Sequence, residues 1–249
     1  MEAAIYSHQG DEYQRLIALH WVVRLLYEDD LDWVQIEAIA SPNTQERLLI
    51  EDIVIGYKDG HKTYIQAKKN QPKHRAWSLA DLGDILRKSK KQLTNDPAGK
   101  ISLYSQTEFG DLKRLKEAEN LYSDFAEFNS NALNPIKTVF NKFKDILGLS
   151  DEDAFKILRG IRLEPCHDFS DWKRIIKDDL RRNYMEHNRV YDFLMRLIEQ
   201  QSARLNVPCR FTNDYLLKIL TEQGFYKAPI LGETEIVKQF KVASQIGRN

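Results

Sequence analysis

One acid, one amide and one lysine lie on two neighbouring apolar segments of the sequence. Asp52 belongs to the segment 48–57, and Gln66 and Lys68 belong to the segment 62–69; both segments are rich in β-branched and aromatic residues. Metal-assisted hydrolysis of a phosphodiester needs an anionic oxygen ligand for the ion and a cation near the attacking water. These three residue types can supply that chemistry if their side chains converge.

The two segments predict a β-hairpin, and its register decides whether the side chains converge. A turn of Asp59 and Gly60 alone would place Asp52 on the opposite face from Gln66 and Lys68. A three-residue loop that begins at Lys58 places Asp52 opposite Gln66, and its last residue adopts the left-handed conformation that glycine tolerates. Since Gly60 occupies that position, the sequence favours the convergent register.

The elements around the hairpin predict an α/β fold with one mixed sheet flanked by helices. The apolar pattern indicates a helix at 11–28, a strand at 32–40, the hairpin, a helix at 78–93 and a strand at 101–107. From about residue 110 only helices are predicted, at 112–128, 135–147, 151–159, 170–182, 188–205 and 213–223. We therefore expect a first domain at 1–110 and an all-helical coupling or oligomerisation region at 111–249.

The order of these residues resembles a known nuclease family. Asp52 followed by Gln66-Ala67-Lys68 is similar to the D…QxK variant of the PD-(D/E)xK superfamily. The segment Gly10-Asp11-Glu12-Tyr13-Gln14 resembles the opening of the double-stranded DNA endonuclease domain of bacterial antiphage effectors, among them CBASS effectors and the antiviral NTPases called Avs. The resemblance covers roughly residues 7–110. It implies a restriction-endonuclease-like fold and a magnesium-dependent endonuclease with little sequence preference, acting in antiphage defence.

The resemblance also implies a set of metal ligands. Asp52 would be the principal ligand, helped by the main-chain carbonyl of Ala67 and by Glu37 on the preceding strand. Gln66 replaces the acid of the commoner motif, and its neutral amide holds a divalent ion less strongly, so the site would hold one ion or need more magnesium. Mg²⁺ is the expected ion and Mn²⁺ the alternative. A one-residue shift of register would give the ligand role to Glu51.

The remaining implied roles concern the water and the substrate. Lys68 would orient or help deprotonate the attacking water and stabilise the developing negative charge, and Gln14 would support the site from the first helix. Residues 58–91 contain ten basic and three acidic side chains, a net charge of +7, although the chain total is zero. Such a local patch suits a DNA backbone, and the candidate contacts are Lys69, Lys73, Arg75, Lys88 and Lys91. Trp77 could stack on a nucleotide or pin the following helix to the sheet.

Composition excludes several other classes of protein. The chain has two cysteines, Cys166 and Cys209, and no histidine is spaced to form a zinc site with them. The N-terminus has no secretory pattern and no apolar run is long enough to span a bilayer, so a cytoplasmic protein without a membrane partner is expected. The expected partners are double-stranded DNA, further copies of the chain and a downstream sensor or NTPase module, and the C-terminus is consistent with a fragment of a longer protein.

Three alternatives remain open at this stage. The first is a catalytically inactive member of the same fold that binds DNA or acts as a scaffold. The second is a nuclease directed at RNA, because the chemistry of this carboxylate and lysine does not distinguish ribose from deoxyribose. The third is a helical interaction protein in which the hairpin is only structural.

Overall fold

The computed structural model describes residues 2–36, 52–68, 75–202 and 209–227. The helices are α1 (Glu2–Arg24), α2 (Gly83–Asn95), α3 (Gly110–Glu119), α4 (Phe125–Asn131), α5 (Asn134–Leu147), α6 (Asp151–Gly160), α7 (Phe169–Arg181), α8 (His187–Ser202) and α9 (Asn213–Glu222). The strands are β1 (Leu31–Ile36), β2 (Ile53–Tyr57), β3 (Lys62–Lys68), β4 (Lys100–Ser105), β5 (Ile161–Leu163) and β6 (Cys209–Thr212). Across the described residues, no helix is both long and apolar enough to cross a membrane.

The strands of the described residues form one mixed sheet in the order β5-β4-β3-β2-β1-β6. The pairs β6–β1, β1–β2 and β2–β3 are antiparallel, whereas β3–β4 and β4–β5 are parallel. A parallel pair needs a crossover connection, and α2 supplies it between β3 and β4. The predicted α/β class, a mixed sheet flanked by helices, is confirmed.

Alternate side chains of the strands enter two separate cores, one on each face of the sheet. Ile53, Ile55 and Ile65 pack with residues of α1, α7, α8 and α9. Val54 and Tyr64, which point the other way, belong to the core formed with α2 to α6. The period of two along each strand therefore sorts the helices into two layers.

Two details of the helical region differ from the sequence expectation. The segment after residue 110 is not helical only, because it contributes β5 and β6, which form the two edges of the sheet. The single helix expected at 112–128 is two helices, and the side chain of Asp124 caps the second by accepting from the backbone N–H of Glu127 at 2.8 Å. Described residues from before and after residue 110 thus share one sheet.

His20 lies in the interface between α1 and α7 among aromatic rings. Its ring centre is 4.9 Å from that of Trp172 and 5.6 Å from that of Trp21. Its buried Nδ1 atom has no hydrogen-bond partner among the described residues. Burial lowers the pKa of His20 from 6.5 to about 3, and the nearby charges of Arg24 and His167 act in the same direction. The folded protein therefore holds this imidazole in its neutral form.

We expect the stability of the fold to decrease as the pH falls below 6.5. The unfolded chain then binds a proton at His20 that the folded chain resists down to about pH 3, so the free energy of unfolding falls through that interval. The loss between pH 6.5 and pH 5 should be about 2 kcal/mol. Urea denaturation at both values measures it. The variant His20→Phe should lose this component, and an equal pH dependence in variant and wild type would contradict the assignment.

Candidate active site

The β2–β3 hairpin has the register that the three-residue loop predicts. Ile53 pairs with Ile65 and the pairing continues in step towards the turn, so the next position outward sets Asp52 opposite Gln66. At the other end, the N–H of Tyr57 donates to the carbonyl of His61 at 3.1 Å. Gly60 has a φ of 91°. The predicted loop and its left-handed glycine are confirmed.

The carboxylate of Asp52 lies against the end of β3. Its Oδ2 atom accepts a hydrogen bond from the side-chain amide of Gln66 and another from the main-chain N–H of Ala67, the second at 2.8 Å. Gln66 and Lys68 point to the same face of the sheet as Tyr64, because they lie two and four residues further along β3. The sheet therefore brings the acid and the amide into direct contact, with the lysine on the same face.

The hydrogen-bonding pattern of the hairpin also orients the carbonyl of Ala67. The N–H of Tyr57 donates to the carbonyl of His61, and in an antiparallel ladder hydrogen-bonded positions recur at every second residue. By that alternation Ala67 directs its N–H and C=O towards the side of β2. Beyond the end of β2, the carboxylate of Asp52 takes the N–H, and the carbonyl lies on the same side of the strand.

Lys68 is half-buried beside the carboxylate of Asp52. Burial lowers the pKa of Lys68, the charge of Asp52 raises it in partial compensation, and the charge of Lys88 on α2 lowers it further. The ammonium group lies 5.7 Å from the ring centre of Trp77. Lys68 is thus a partly desolvated cation near one aromatic ring and within the electrostatic influence of one carboxylate.

Trp77 is a fixed support for this lysine. Its indole N–H donates to Oγ of the buried Ser105 at 2.8 Å, and its main-chain N–H donates to the carbonyl of Glu108 at 2.8 Å. The side chain is only 8% exposed. Of the two roles considered for Trp77, the structure supports the one that pins the chain to the sheet, because a ring so buried offers no face to a nucleotide. No local sequence pattern indicates the role of Ser105.

The other candidate residues are distributed differently. Gln14 is on α1, which packs on the face of the sheet opposite to Gln66 and Lys68, so the structure does not bring it to their face. Glu37, Glu51, Lys69 and Lys73 lie outside the described residues.

The basic residues that the structure describes have unequal environments. Arg75 forms a two-point ion pair with Asp81, both contacts at 2.9 Å, which offsets its charge. Lys90 donates to the carbonyl of Leu147 at 2.7 Å and so caps α5. Lys88 and Lys91 are exposed on α2. The basic patch available to a phosphate backbone is therefore smaller than the count of charges indicates.

A cleft of about 1030 Å³ lies elsewhere, between α3 and β5. Its charges are largely paired within the protein: Glu119 accepts from Lys116 at 2.6 Å and from Arg159 at 3.0 Å, and Glu108 accepts from Lys113 at 2.7 Å. Such pairing stabilises the ends of α3 and α6. The cleft contains none of the residues that the hairpin brings together.

The donors at the end of the hairpin are of the kind that bind a magnesium or manganese ion. Asp52 offers a carboxylate, Ala67 a carbonyl, and Gln66 can present Oε1 instead of Nε2 by a half-turn of its amide. Oxygen donors of this kind suit Mg²⁺ and Mn²⁺, and Mg²⁺ is commonly held by one or two carboxylates with water and phosphate completing its shell. No group of three histidine, cysteine or acidic residues is placed to hold a metal within the described ranges, so an all-protein cage is not formed there.

Neutralising Asp52 should lower the pKa of Lys68 further. The carboxylate raises that pKa against the effect of burial, so the isosteric variant Asp52→Asn removes the opposing effect. The pKa can be measured from the pH dependence of the ¹³C-methylated Lys68 resonance. Asp84→Asn is the matched control, because Asp84 is a weaker contributor of the same sign. An unchanged or higher pKa in Asp52→Asn would show that the two groups are not coupled.

Comparison of the chain with protein-family models, with curated proteins and with solved structures gives no match. The function is therefore argued from the hairpin, the carboxylate and the lysine.

Proposed function

We propose that the protein is a metal-dependent endonuclease that hydrolyses the phosphodiester bonds of double-stranded DNA with little sequence preference, and that it acts in antiphage defence. The observation that carries the proposal is the meeting of Asp52, Gln66 and the main chain of Ala67 at the end of the hairpin, with Lys68 on the same face. The defence role rests on the resemblance of residues 7–110 alone.

The order of elements supports the proposal. A helix, three antiparallel strands, a second helix and a fourth strand parallel to the third follow one another along the chain. Asp52 lies just before β2 and Lys68 ends β3, so both are at the same end of the hairpin. A substrate at this end of the sheet would meet the acid, the amide and the lysine together.

Each residue has a distinct task in the proposed reaction. Asp52 and the carbonyl of Ala67 would hold the divalent ion, with Gln66 as a weaker oxygen donor. When bound, the ion would polarise the phosphate and lower the pKa of a bound water. Lys68 would hold the attacking water and stabilise the charge that develops on the phosphate oxygens. Because Lys68 is desolvated and supported by Trp77, its charge acts through less water than that of an exposed lysine.

Exposed lysines of α2 supply the general affinity for the backbone. Lys88 lies close enough to Lys68 to influence its pKa, and Lys91 is one helical turn further along the same helix. Contacts from such side chains bind phosphates without reading bases. The local basic patch in a neutral chain therefore agrees with binding that is independent of sequence.

The direct test is cleavage of plasmid DNA with Mg²⁺ and with chelator. The wild type should cut only with the metal ion, and Asp52→Ala or Lys68→Ala should reduce the rate by roughly a hundredfold or more, since each removes a charged group that acts in the transition state. Asp214→Ala and Lys218→Ala are matched controls, because both residues are exposed on α9 in the opposite layer. Circular dichroism verifies that each variant is folded.

The outcomes of this assay separate the alternatives. Full activity in either site variant would refute the site. Binding of DNA without cleavage by the wild type would leave an inactive DNA-binding module, and cleavage of RNA alone would replace the substrate. Failure to bind either nucleic acid would favour the helical interaction protein.

Double-strand cutting by one catalytic centre also predicts a dependence on concentration. A single centre cuts one strand, so paired breaks need two copies of the chain or two successive events. The apolar face of α8 does not supply a free surface for assembly, because Val190, Leu194 and Ile198 are buried in the core shared with α1. We expect nicking at low protein concentration and linear product at higher concentration, measured alongside sedimentation. If the protein stays monomeric at every concentration and linearises plasmid without nicked intermediates, two copies of the chain are not needed for a double-strand break.

A further inference from the structure

The face of the sheet that carries Gln66 and Lys68 continues across β1 to the edge strand β6. Gln35 on β1 pairs with Val54 on one side and with Arg210 on the other. These three residues form a row across the sheet, and Asp52 is the next position on the same face of the β2 segment. The row therefore joins the candidate active site to a residue from the C-terminal part of the chain.

Arg210 is held in place by an aromatic ring. Its guanidinium carbon lies 4.0 Å from the ring centre of Trp33, which is buried, whereas Arg210 itself is exposed. A guanidinium stacked on an aromatic face keeps its charge and leaves its N–H groups at the edge of the plane. The stacked geometry thus leaves the N–H groups of Arg210 available at the edge of its plane.

Gly56 makes room for the ring that supports Arg210. A Cβ atom at position 56 would lie 2.1 Å from Cε2 of Trp33, so the indole lies directly on the backbone of β2. Glycine inside a strand weakens pairing and is typical of positions where another group approaches the backbone closely. Glycine at this position is what lets the indole lie flat on the sheet beneath Arg210.

Gln35 adds a second polar group to the row. The residue is only 2% exposed, and its Nε2 atom has no hydrogen-bond partner among the described residues. A buried donor without an acceptor is costly. In the row, this amide lies between Arg210 and Val54.

We infer that Arg210 contacts a backbone phosphate of the bound DNA away from the scissile bond; this inference rests on the proposed nuclease function. Arg210 and Asp52 are separated by two spacings between neighbouring strands and by two residues along β2. Their Cα atoms therefore lie ~12 Å apart. That separation is several times the ~3.4 Å axial rise per nucleotide, so the phosphate at Arg210 is not the scissile one. Arg210 is a substrate-positioning residue, and β6 extends the DNA-binding surface.

The test measures binding of a DNA duplex to the full chain in chelator, where cleavage is suppressed, over a series of salt concentrations. Arg210→Gln should weaken binding about tenfold, the loss of one charge-assisted hydrogen bond. It should also reduce the slope of log K against log salt by about 0.9, the value for one phosphate contact. With Mg²⁺, the variant should raise KM and leave kcat near the wild-type value, whereas Lys68→Ala lowers kcat.

Arg189→Gln is the matched control for stacking and charge. Arg189 is also an exposed arginine over an aromatic ring, 5.6 Å from the ring centre of Phe225, but it belongs to α8 in the opposite layer. Its substitution should change neither affinity nor salt slope. Arg210→Lys keeps the charge and loses the planar stack, so it should restore the slope and only part of the affinity.

Two results would overturn the inference, and they are distinguishable. If the wild type binds and cuts DNA and Arg210→Gln has the same affinity and slope, Arg210 only covers Trp33 and the nuclease function stands. If the wild type neither binds nor cuts the duplex, the inference falls together with the proposed function.

Discussion

The antiparallel pairing of β2 with β3 determines which side chains meet at the candidate site. Side chains alternate between faces along a strand, so a shift by one residue would send Asp52 to the layer of α1 and leave Gln66 and Lys68 without the acid. The three-residue loop that ends in Gly60 sets the pairing, and the hydrogen bonds from Gln66 and Ala67 to Asp52 continue it beyond the last ladder pair. Local turn chemistry thus places an acid and a lysine that are 16 positions apart in the sequence.

Burial determines the electrostatic environment of Lys68. Lys113, Lys144 and Lys173, for example, pair their ammonium groups with partly exposed acids. Lys68 is instead desolvated between the hairpin and Trp77, so its pKa falls even though Asp52 opposes the change. A charge in such surroundings interacts more strongly with nearby anions than an exposed one does. The support from Ser105 through Trp77 fixes where that charge lies.

The sequence predicted the parts of the fold that depend on local patterns. The hairpin register, the α/β class and most of the helices follow from apolar periodicity, from Gly60 and from helix-ending residues. The short strand β5 was not predicted, because three residues carry too little period to be recognised. The anchoring of Trp77, the capping by Lys90 and the stacking of Arg210 on Trp33 join residues far apart in the chain, so no local pattern could indicate them.

The location of Gln14 also depends on contacts that no local sequence pattern indicates. Its position near the start of the helix predicted at 11–28 suggested support for the site, but the face that a helix presents to a sheet depends on the whole arrangement of layers. The residues next to it, Tyr13 and Leu16, pack into the core on the face away from Gln66 and Lys68. The resemblance of the segment around Gln14 to a family motif therefore did not predict the face of the sheet on which Gln14 lies.

The two edges of the sheet have a consequence for the order of folding. Both edge strands, β5 and β6, come from the second half of the chain, and β6 pairs with β1 across a separation on the order of 180 positions. A nascent chain that has reached about residue 110 contains β1 to β4 with both outer edges unpaired, a form open to pairing with other chains. Closure of the β1 edge waits for β6, which is also the strand that carries Arg210. In synthesis from the N-terminus, the residues of the hairpin site therefore emerge before the strand that covers the β1 edge.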